Sequence, residues 1–156
     1  MAGLFLTLFL LMACGQGERA PFIEGTWVVR GHTAAQVSAM GLEEASSWIG
    51  KVAQYTGGKA DFDGQTCESP VYKQRMLEPR DFQTGFRILP SALGHERGSI
   101  EVIEVFCGEH QWAAPGATLI RLGEHKLFVF WDGVFFQLES KKIASTEIPK
   151  QYPFSS

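Results

Sequence analysis

The most constraining feature of this chain is a pair of alternating apolar runs on either side of Asp132-Gly133. Asp-Gly favours a two-residue hairpin turn, because both residues tolerate positive φ angles. A turn there sets opposed pairs that run from Trp131 with Val134 to Lys126 with Glu139. A slip of one residue would turn every side chain to the opposite face. The predicted register collects these apolar residues on one face: Leu127, Val129, Trp131, Val134, Phe136 and Leu138.

The second face of this hairpin is less polar than a solvent-exposed face should be. A turn at Gly123-Glu124 adds a third strand, which we expect to place Ile120 beside Leu127. Two interpretations are open: the helix predicted below or a terminal segment covers this face, or the face is an exposed patch that binds a partner or a lipid. The apolar residues predicted on it are Leu119, Phe128, Phe130 and Phe135.

Most of the remaining chain also has the composition of short strands separated by turn residues. One short helix is predicted over residues 38–49, ending at Gly50, with Leu42, Ala45, Trp48 and Ile49 at helical spacing. In the last strand before the meander, Glu101 and Glu104 predict either a bulge near Val102 or burial on both faces. The predicted strands are 25–30, 51–55, 60–62, 65–67, 71–77, 85–89 and 99–107, with a turn at Asp63-Gly64.

This pattern predicts a mainly β fold, a small antiparallel barrel or sandwich with one short helix after the first strand. Gly25-Thr26-Trp27 resembles the G-x-W motif of the lipocalin and calycin superfamily, in which the tryptophan closes one end of an eight-stranded barrel. The resemblance implies a calycin-like barrel holding an apolar or amphipathic molecule among residues such as Trp27, Val129, Trp131 and Phe136. The family's T-D-Y element is absent, so ligand specificity is not carried over.

The N-terminal segment contains an apolar run followed by Leu11-Met12-Ala13-Cys14-Gly15. This arrangement resembles the lipobox of bacterial lipoproteins; an ordinary secretory signal or a short buried helix is the alternative. The resemblance implies a signal peptide over residues 1–13, lipidation of Cys14, a tether to residue 24, and a single domain over residues 25–156. Gly15 after the cysteine favours the periplasmic face of the outer membrane, with another envelope membrane as the alternative.

The other two cysteines are Cys67 and Cys107. With Cys14 assigned to lipid, they form an even pair in an oxidising compartment, which predicts a disulfide; two unrelated buried thiols are the alternative. A bond closing a loop of about forty residues stabilises by roughly 4 kcal/mol in the chain-entropy model. Neither cysteine has a second Cys or His at the spacing that zinc motifs use.

Charge and motif content exclude several classes of function. The formal net charge of −3 argues against a nucleic-acid-binding protein, and it leaves membrane attachment to the lipid. There is no G-x-S-x-G sequence and no phosphate-binding loop. The histidines, none paired at metal spacing, are His32, His95, His110 and His125. We therefore expect no catalytic residues, no metal and no cofactor.

Two non-enzymatic classes remain. A lipocalin-like carrier would bind a small apolar molecule inside its barrel, whereas an envelope interaction module would use its surface. The C-type lysozyme inhibitors are an example of the second class, but their S-G-x-x-Y and K-G signatures are not found here. The interior of the barrel discriminates between them: a cavity of about 300 Å³ or more there would favour the carrier, and a solid core would favour the surface module. The candidate ligand- or partner-binding residues are Trp27, Phe128, Phe130, Trp131 and Phe135.

Overall fold

One antiparallel sheet of ten strands dominates the computed structural model, which describes residues 23–123 and 126–141. Its strand order is β4-β3-β2-β1-β10-β9-β8-β6-β5, with β7 paired to β6 beside this path. The strands are β1 Gly25–Ala34, β2 Val52–Tyr55, β3 Lys59–Phe62, β4 Gln65–Glu68, β5 Val71–Leu77, β6 Ile100–Cys107, β7 His110–Gln111, β8 Thr118–Leu122, β9 Lys126–Trp131 and β10 Val134–Ser140. The helices are α1 Leu42–Ser47 and α2 Pro79–Phe86, with 3-10 turns at Pro90–Leu93 and Pro115–Ala117.

The sheet curls into a half-barrel, which confirms the mainly β prediction. Buried residues from β2, β3 and β4 join those from β5 and β6, at the opposite end of the sheet, in one cluster. Both ends of the sheet therefore fold toward the same side, the concave face. The predicted signal peptide, Cys14 and most of the tether lie outside the described residues.

The β9–β10 hairpin has the predicted register from Trp131 opposite Val134 to Leu127 opposite Leu138. Asp132 and Gly133 have φ angles of 49° and 79°, as the predicted turn requires. The ladder ends there, one pair before the predicted Lys126 and Glu139, whose side chains have other partners. Glu139 forms an ion pair with Arg30 at 3.3 Å, and the ammonium of Lys126 donates to the Gly94 carbonyl at 3.1 Å.

The predicted β8–β9 register is wrong by one residue. Leu122 pairs with Lys126, so three residues rather than two connect the strands, and Ile120 lies opposite Phe128. The shift exchanges the faces of two side chains. Leu119 belongs to the concave cluster, and Ile120 belongs to the cluster on the opposite, convex face.

Two features close the concave face. Cys67 of β4 and Cys107 of β6 form the predicted disulfide, with a Cα–Cα distance of 5.7 Å in the normal range. The segment 112–117 is buried except for Ala113, and its 3-10 turn Pro115–Ala117 contacts β3 as well as β6 and β9. It passes so near Tyr55 that a Cβ atom on Gly116 would lie 2.7 Å from the phenol oxygen. The chain itself thus crosses the concave face.

Helix α1 is shorter than predicted and also packs on the concave side. It begins at Leu42, after the N-cap residue Gly41. In the preceding segment the Ser38 hydroxyl accepts a bond from the Met40 amide and donates to the Asp132 carbonyl at 3.0 Å, which ties this segment to the hairpin tip. Ala45 and Trp48 are buried as predicted, with Trp48 stacked on Phe136 at 4.5 Å. The prediction for the other two apolar positions is wrong. Leu42 and Ile49 are 68% and 51% exposed.

The predicted strand over residues 85–89 is wrong, because residues 79–86 form helix α2 instead. Pro79 occupies the first turn, where a missing amide hydrogen costs nothing, and Arg87 ends the helix in a left-handed conformation. Two rings spaced four residues apart, Phe82 and Phe86, bury against the convex face. That burial stabilises a helix despite Gly85.

The remaining predictions concern strands β1 and β6. β1 extends to Ala34 and its register shifts between Val29 and Gly31, so the sheet's bulge lies here. β6 pairs with β5 without a register shift. Its residues Ile100 to Ile103 are all buried, so of the two alternatives for β6, burial on both faces is the one observed.

Candidate functional site

The convex face is covered by an aromatic cluster that α2 completes. The Phe86 ring meets the Phe130 ring edge-on at 4.9 Å, and the Phe130 and Phe135 rings lie 4.8 Å apart. Phe82 stacks on Phe86 at 4.7 Å and is fully buried, as is Phe135. The cover predicted for these rings is therefore present, but α2 provides it rather than α1.

The cover ends at Phe130, which remains half-buried and lies in an open groove. The groove has two adjoining segments of about 350 and 420 Å³, and both are lined by Gln111, Thr118 and Phe130. We call it the convex trough. Its α2 segment is also lined by Arg75, Leu77, Asp81, Gly85, Phe86 and Glu104. Its rim segment is also lined by Trp112, Ala117, Trp131 and Asp132. Trp112 and Ala117 belong to the concave cluster and Trp131 packs against it, so the rim segment lies where the trough passes from the convex face toward the concave side.

Side-chain hydrogen bonds fix the polar groups at the junction of the two segments. The Gln111 side-chain amide donates to the Thr118 hydroxyl at 3.0 Å and to the Ala117 carbonyl at 3.4 Å. Because the amide is bonded within the protein, its orientation is set before any ligand arrives. The junction therefore presents a positioned amide and hydroxyl beside the Phe130 ring, a combination typical of binding sites.

Charged groups lie in both segments of the trough. Arg75 and Glu104 form an ion pair at 3.6 Å across β5 and β6. Asp81 and Asp132 are exposed and have no ion pair among the residues that the structure describes. The backbone of Asp132 is anchored, since its carbonyl accepts a bond from the Ala39 amide at 2.9 Å. The rim segment thus holds a free carboxylate on a fixed turn.

The wall that α2 contributes has an opening at Gly85. A Cβ atom built on Gly85 would meet no heavy atom within 4 Å, and its φ angle lies outside the left-handed range. A side chain added at this helix position therefore starts in open space. Because Gly85 also lines the α2 segment, we expect a large side chain there to fill part of the trough.

The polar groups of the concave face bond within the protein. The Tyr55 hydroxyl donates to the Gly116 carbonyl at 3.2 Å, and the Tyr72 hydroxyl donates to the Thr56 carbonyl at 2.8 Å. Burial, with smaller contributions from nearby acidic groups, raises the pKa of Tyr55 far above its usual range. Burial likewise raises the pKa of Tyr72 to about 12, against a lowering effect of its bond to Thr56. Both phenols stay neutral at physiological pH.

Two further groups on this face need comment. Glu101 is buried and forms an ion pair with Arg121, so β6 carries a compensated charge. His32 Nε2 lies 3.0 Å from the Ser46 hydroxyl, whereas its Nδ1 is the buried side-chain polar atom without a partner in the described chain. Neither group lines the convex trough.

The structure separates the five candidate binding residues. Phe130 and Trp131 line the trough, whereas Phe128 and Phe135 are only 4% and 0% exposed and belong to the core. Trp27 packs against the concave cluster beside Ser140, at the opposite end of β10 from Trp131. The exposed-patch interpretation is therefore wrong for Phe128 and Phe135.

Sequence analysis missed the residues that complete the trough. Asp81, Gly85 and Phe86 lie on α2, which was predicted partly as a strand, and Gln111 lies on a two-residue strand. Pro79 followed by phenylalanines at positions 82 and 86 is a helix signal that could have located α2. No comparable local signal marks Gln111, because only tertiary contacts bring it to Thr118.

Across residues 23–123 and 126–141, no group of three His, Cys, Asp or Glu side chains is arranged to hold a metal ion. No helix in this part of the chain is long and apolar enough to cross a membrane. Comparisons with protein-family models, with curated proteins and with solved structures found no match.

Proposed function

We propose that this chain is a non-enzymatic binding module of the bacterial envelope, which holds a partner protein in the convex trough. The observation that carries the proposal is the contrast in accessibility between the two faces of the sheet. The concave face, where a lipocalin-like carrier would hold its ligand, is packed with buried side chains and crossed by segment 112–117. The trough is open and lined by half-buried aromatic and positioned polar groups.

The chemistry of the trough favours recognition over catalysis. Binding sites combine aromatic contact area with a few convergent polar groups. The trough offers Phe130 and Trp131 for contact, with Gln111 and Thr118 for hydrogen bonding. A partner that covered Phe130 would remove apolar surface from water, which contributes about 25 cal/mol per Å².

The second part of the proposal is attachment through Cys14. A lipidated cysteine would hold the domain near envelope partners, and two acyl chains suffice for stable anchoring. Cys14→Ala should leave a product that carries no acyl chains and does not fractionate with membranes. A native mature terminus that begins elsewhere without acyl chains, as seen by mass spectrometry, would remove the anchor from the proposal.

Site-specific photo-crosslinking in cells tests the trough itself. A photoreactive phenylalanine analogue at Gln111 should form a discrete adduct, and the same analogue at Gln83, which is exposed on α2 but does not line the trough, should not. Adding Gly85→Trp should abolish the Gln111 adduct by filling the α2 segment. Adducts of equal yield at the two positions, or a Gln111 adduct that survives Gly85→Trp, would contradict the proposal.

A further inference from the structure

The shape of the trough bears on the size of its occupant. Pockets for small molecules enclose most of the ligand's surface. The two segments of the trough, by contrast, adjoin at Gln111, Thr118 and Phe130, and both open to solvent along their length. A small molecule in either segment would stay largely solvated. An extended polymer can occupy both segments at once.

The charges in the trough indicate the sign of the charge on its occupant. Three carboxylates and one guanidinium line it. The guanidinium of Arg75 is already paired with Glu104, which leaves Asp81 in the α2 segment and Asp132 in the rim segment. The nearby ammonium of Lys73 lies over the Phe106 ring at 3.9 Å and is not among the lining groups. The free charge of the trough is therefore negative in both segments.

The middle of the trough is apolar. Phe130 lies at the junction of the segments, with Asp81 in one and Asp132 in the other. Trp131 lines the rim segment together with Asp132 and packs against the concave cluster, so the carboxylate there has an apolar neighbour. This order of groups matches a chain with basic side chains on both sides of an apolar one.

We propose that the convex trough binds an extended basic peptide segment of the partner, with an apolar side chain over Phe130 and basic side chains toward Asp81 and Asp132. This inference rests on the proposed function and adds the chemistry of the partner. The formal net charge of −3 on the whole chain draws the same kind of segment toward the trough. A neutral oligosaccharide would also stack on aromatic rings, but it would gain nothing from the charge of the two free carboxylates.

Fluorescence anisotropy of the mature protein with three labelled probes tests the inference. The probes are a nonapeptide with lysine or arginine at alternate positions and valine or threonine between them, its counterpart with glutamate at the basic positions, and a chitin tetrasaccharide. We expect the basic peptide alone to bind. Its affinity should fall several-fold as salt is raised from roughly 0.02 M to 0.15 M, because exposed charge pairs are screened.

Two sets of variants locate the binding. Asp81→Asn with Asp132→Asn should weaken the basic peptide about tenfold and flatten its salt dependence, because two exposed charge pairs are lost. Asp63→Asn with Glu109→Gln, which removes two carboxylates that do not line the trough, should change the affinity less than twofold. Gly85→Trp should abolish binding, and Gln83→Trp should not. Circular dichroism of each variant confirms that it is folded.

The outcomes separate this inference from the proposed function. If the Gln111 crosslink forms but the tetrasaccharide or the glutamate peptide binds better than the basic peptide, the trough binds a partner of different chemistry and the inference is wrong. If the basic peptide binds equally well to the Asp81 and Asp132 double variant, the assigned carboxylates are wrong. If neither crosslink nor probe binding depends on Gly85, the proposed function itself fails.

Discussion

The two faces of the curled sheet are both lined by apolar side chains, yet they are covered in different ways. The concave face is closed by α1, by segment 112–117 and by the disulfide between β4 and β6. The convex face relies on α2 and the 3-10 turn Pro90–Leu93, which cover one aromatic cluster and stop at Phe130. At the boundary of that cover, a half-buried aromatic side chain lines an open groove, whereas the inside of the half-barrel is filled with buried side chains.

Truncation of one phenylalanine on each face should produce the largest contrast. Phe136→Ala on the concave face should lower the free energy of unfolding by about 3–5 kcal/mol, because the ring is fully buried and stacked on Trp48. Phe130→Ala on the convex face should cost about 1–2 kcal/mol, because its ring is only half-buried. Urea denaturation measures both values. Equal losses would mean that the two faces are covered alike.

Removal of the disulfide, which helps to close the concave face, should produce the next largest effect. Cys67→Ser with Cys107→Ser should lower the free energy of unfolding by roughly 2–4 kcal/mol, since the bond closes a sequence separation of 40 residues. Thermal denaturation with and without reductant provides the control. The wild type should fall to the stability of the variant when reduced, and a variant as stable as the oxidised wild type would show that the bond does not hold the sheet ends together.

Two glycines provide a matched test of packing on the two faces. Gly116→Ala should destabilise by about 1–3 kcal/mol, because the new methyl group would lie 2.7 Å from the Tyr55 oxygen and 2.9 Å from the Trp112 ring. Gly85→Ala should stabilise by roughly 0.5–1 kcal/mol, because the helix gains a better former and the methyl group enters open space. Changes of the same sign, measured by thermal unfolding, would contradict this difference.

Alkaline pH should act on the concave face, where both described tyrosines are buried. The folded-state pKa of Tyr72 is about 12 against a usual 10.0, so the unfolded chain ionises first as the pH rises. The stabilisation that Tyr72 provides is therefore complete below about pH 10 and is lost as the pH rises from about 10 to about 12. Urea titrations should show a smaller decrease for Tyr72→Phe over this window. An unchanged decrease would assign the effect to other groups.

The parts of the fold that the sequence could predict are those with a local cause. The β9–β10 register follows from Asp132-Gly133 and the alternation around it, and the Asp63-Gly64 hairpin formed for the same reason. The disulfide could be predicted because two cysteines remain once Cys14 is assigned to lipid. The β8–β9 register could not be fixed in this way, because Gly123 is compatible with either a two- or a three-residue connection.

Only part of the candidate site could be predicted from the sequence, because tertiary contacts bring its other residues together. Phe130 and Trp131 were found because they lie on the hairpin, but alternation alone does not show whether α2 covers Phe130 or Phe135. Arg75 and Glu104 come from neighbouring strands, and Gln111 reaches Thr118 only through the fold. Helix α2 was missed since a short apolar run containing Gly85 fits a strand as well as a helix.

The most direct test is an amide chemical-shift map recorded during two titrations, one with the basic nonapeptide and one with dodecanoate, an apolar ligand suited to a lipocalin-like barrel. The account predicts that the peptide shifts the amides of Gly85, Gln111 and Thr118, and that neither ligand shifts those of Ala53 and Ala60, which are fully buried on the concave face. Saturable shifts at Ala53 and Ala60 with dodecanoate, and none at Gln111 and Thr118 with the peptide, would place the binding site inside the half-barrel and contradict the account.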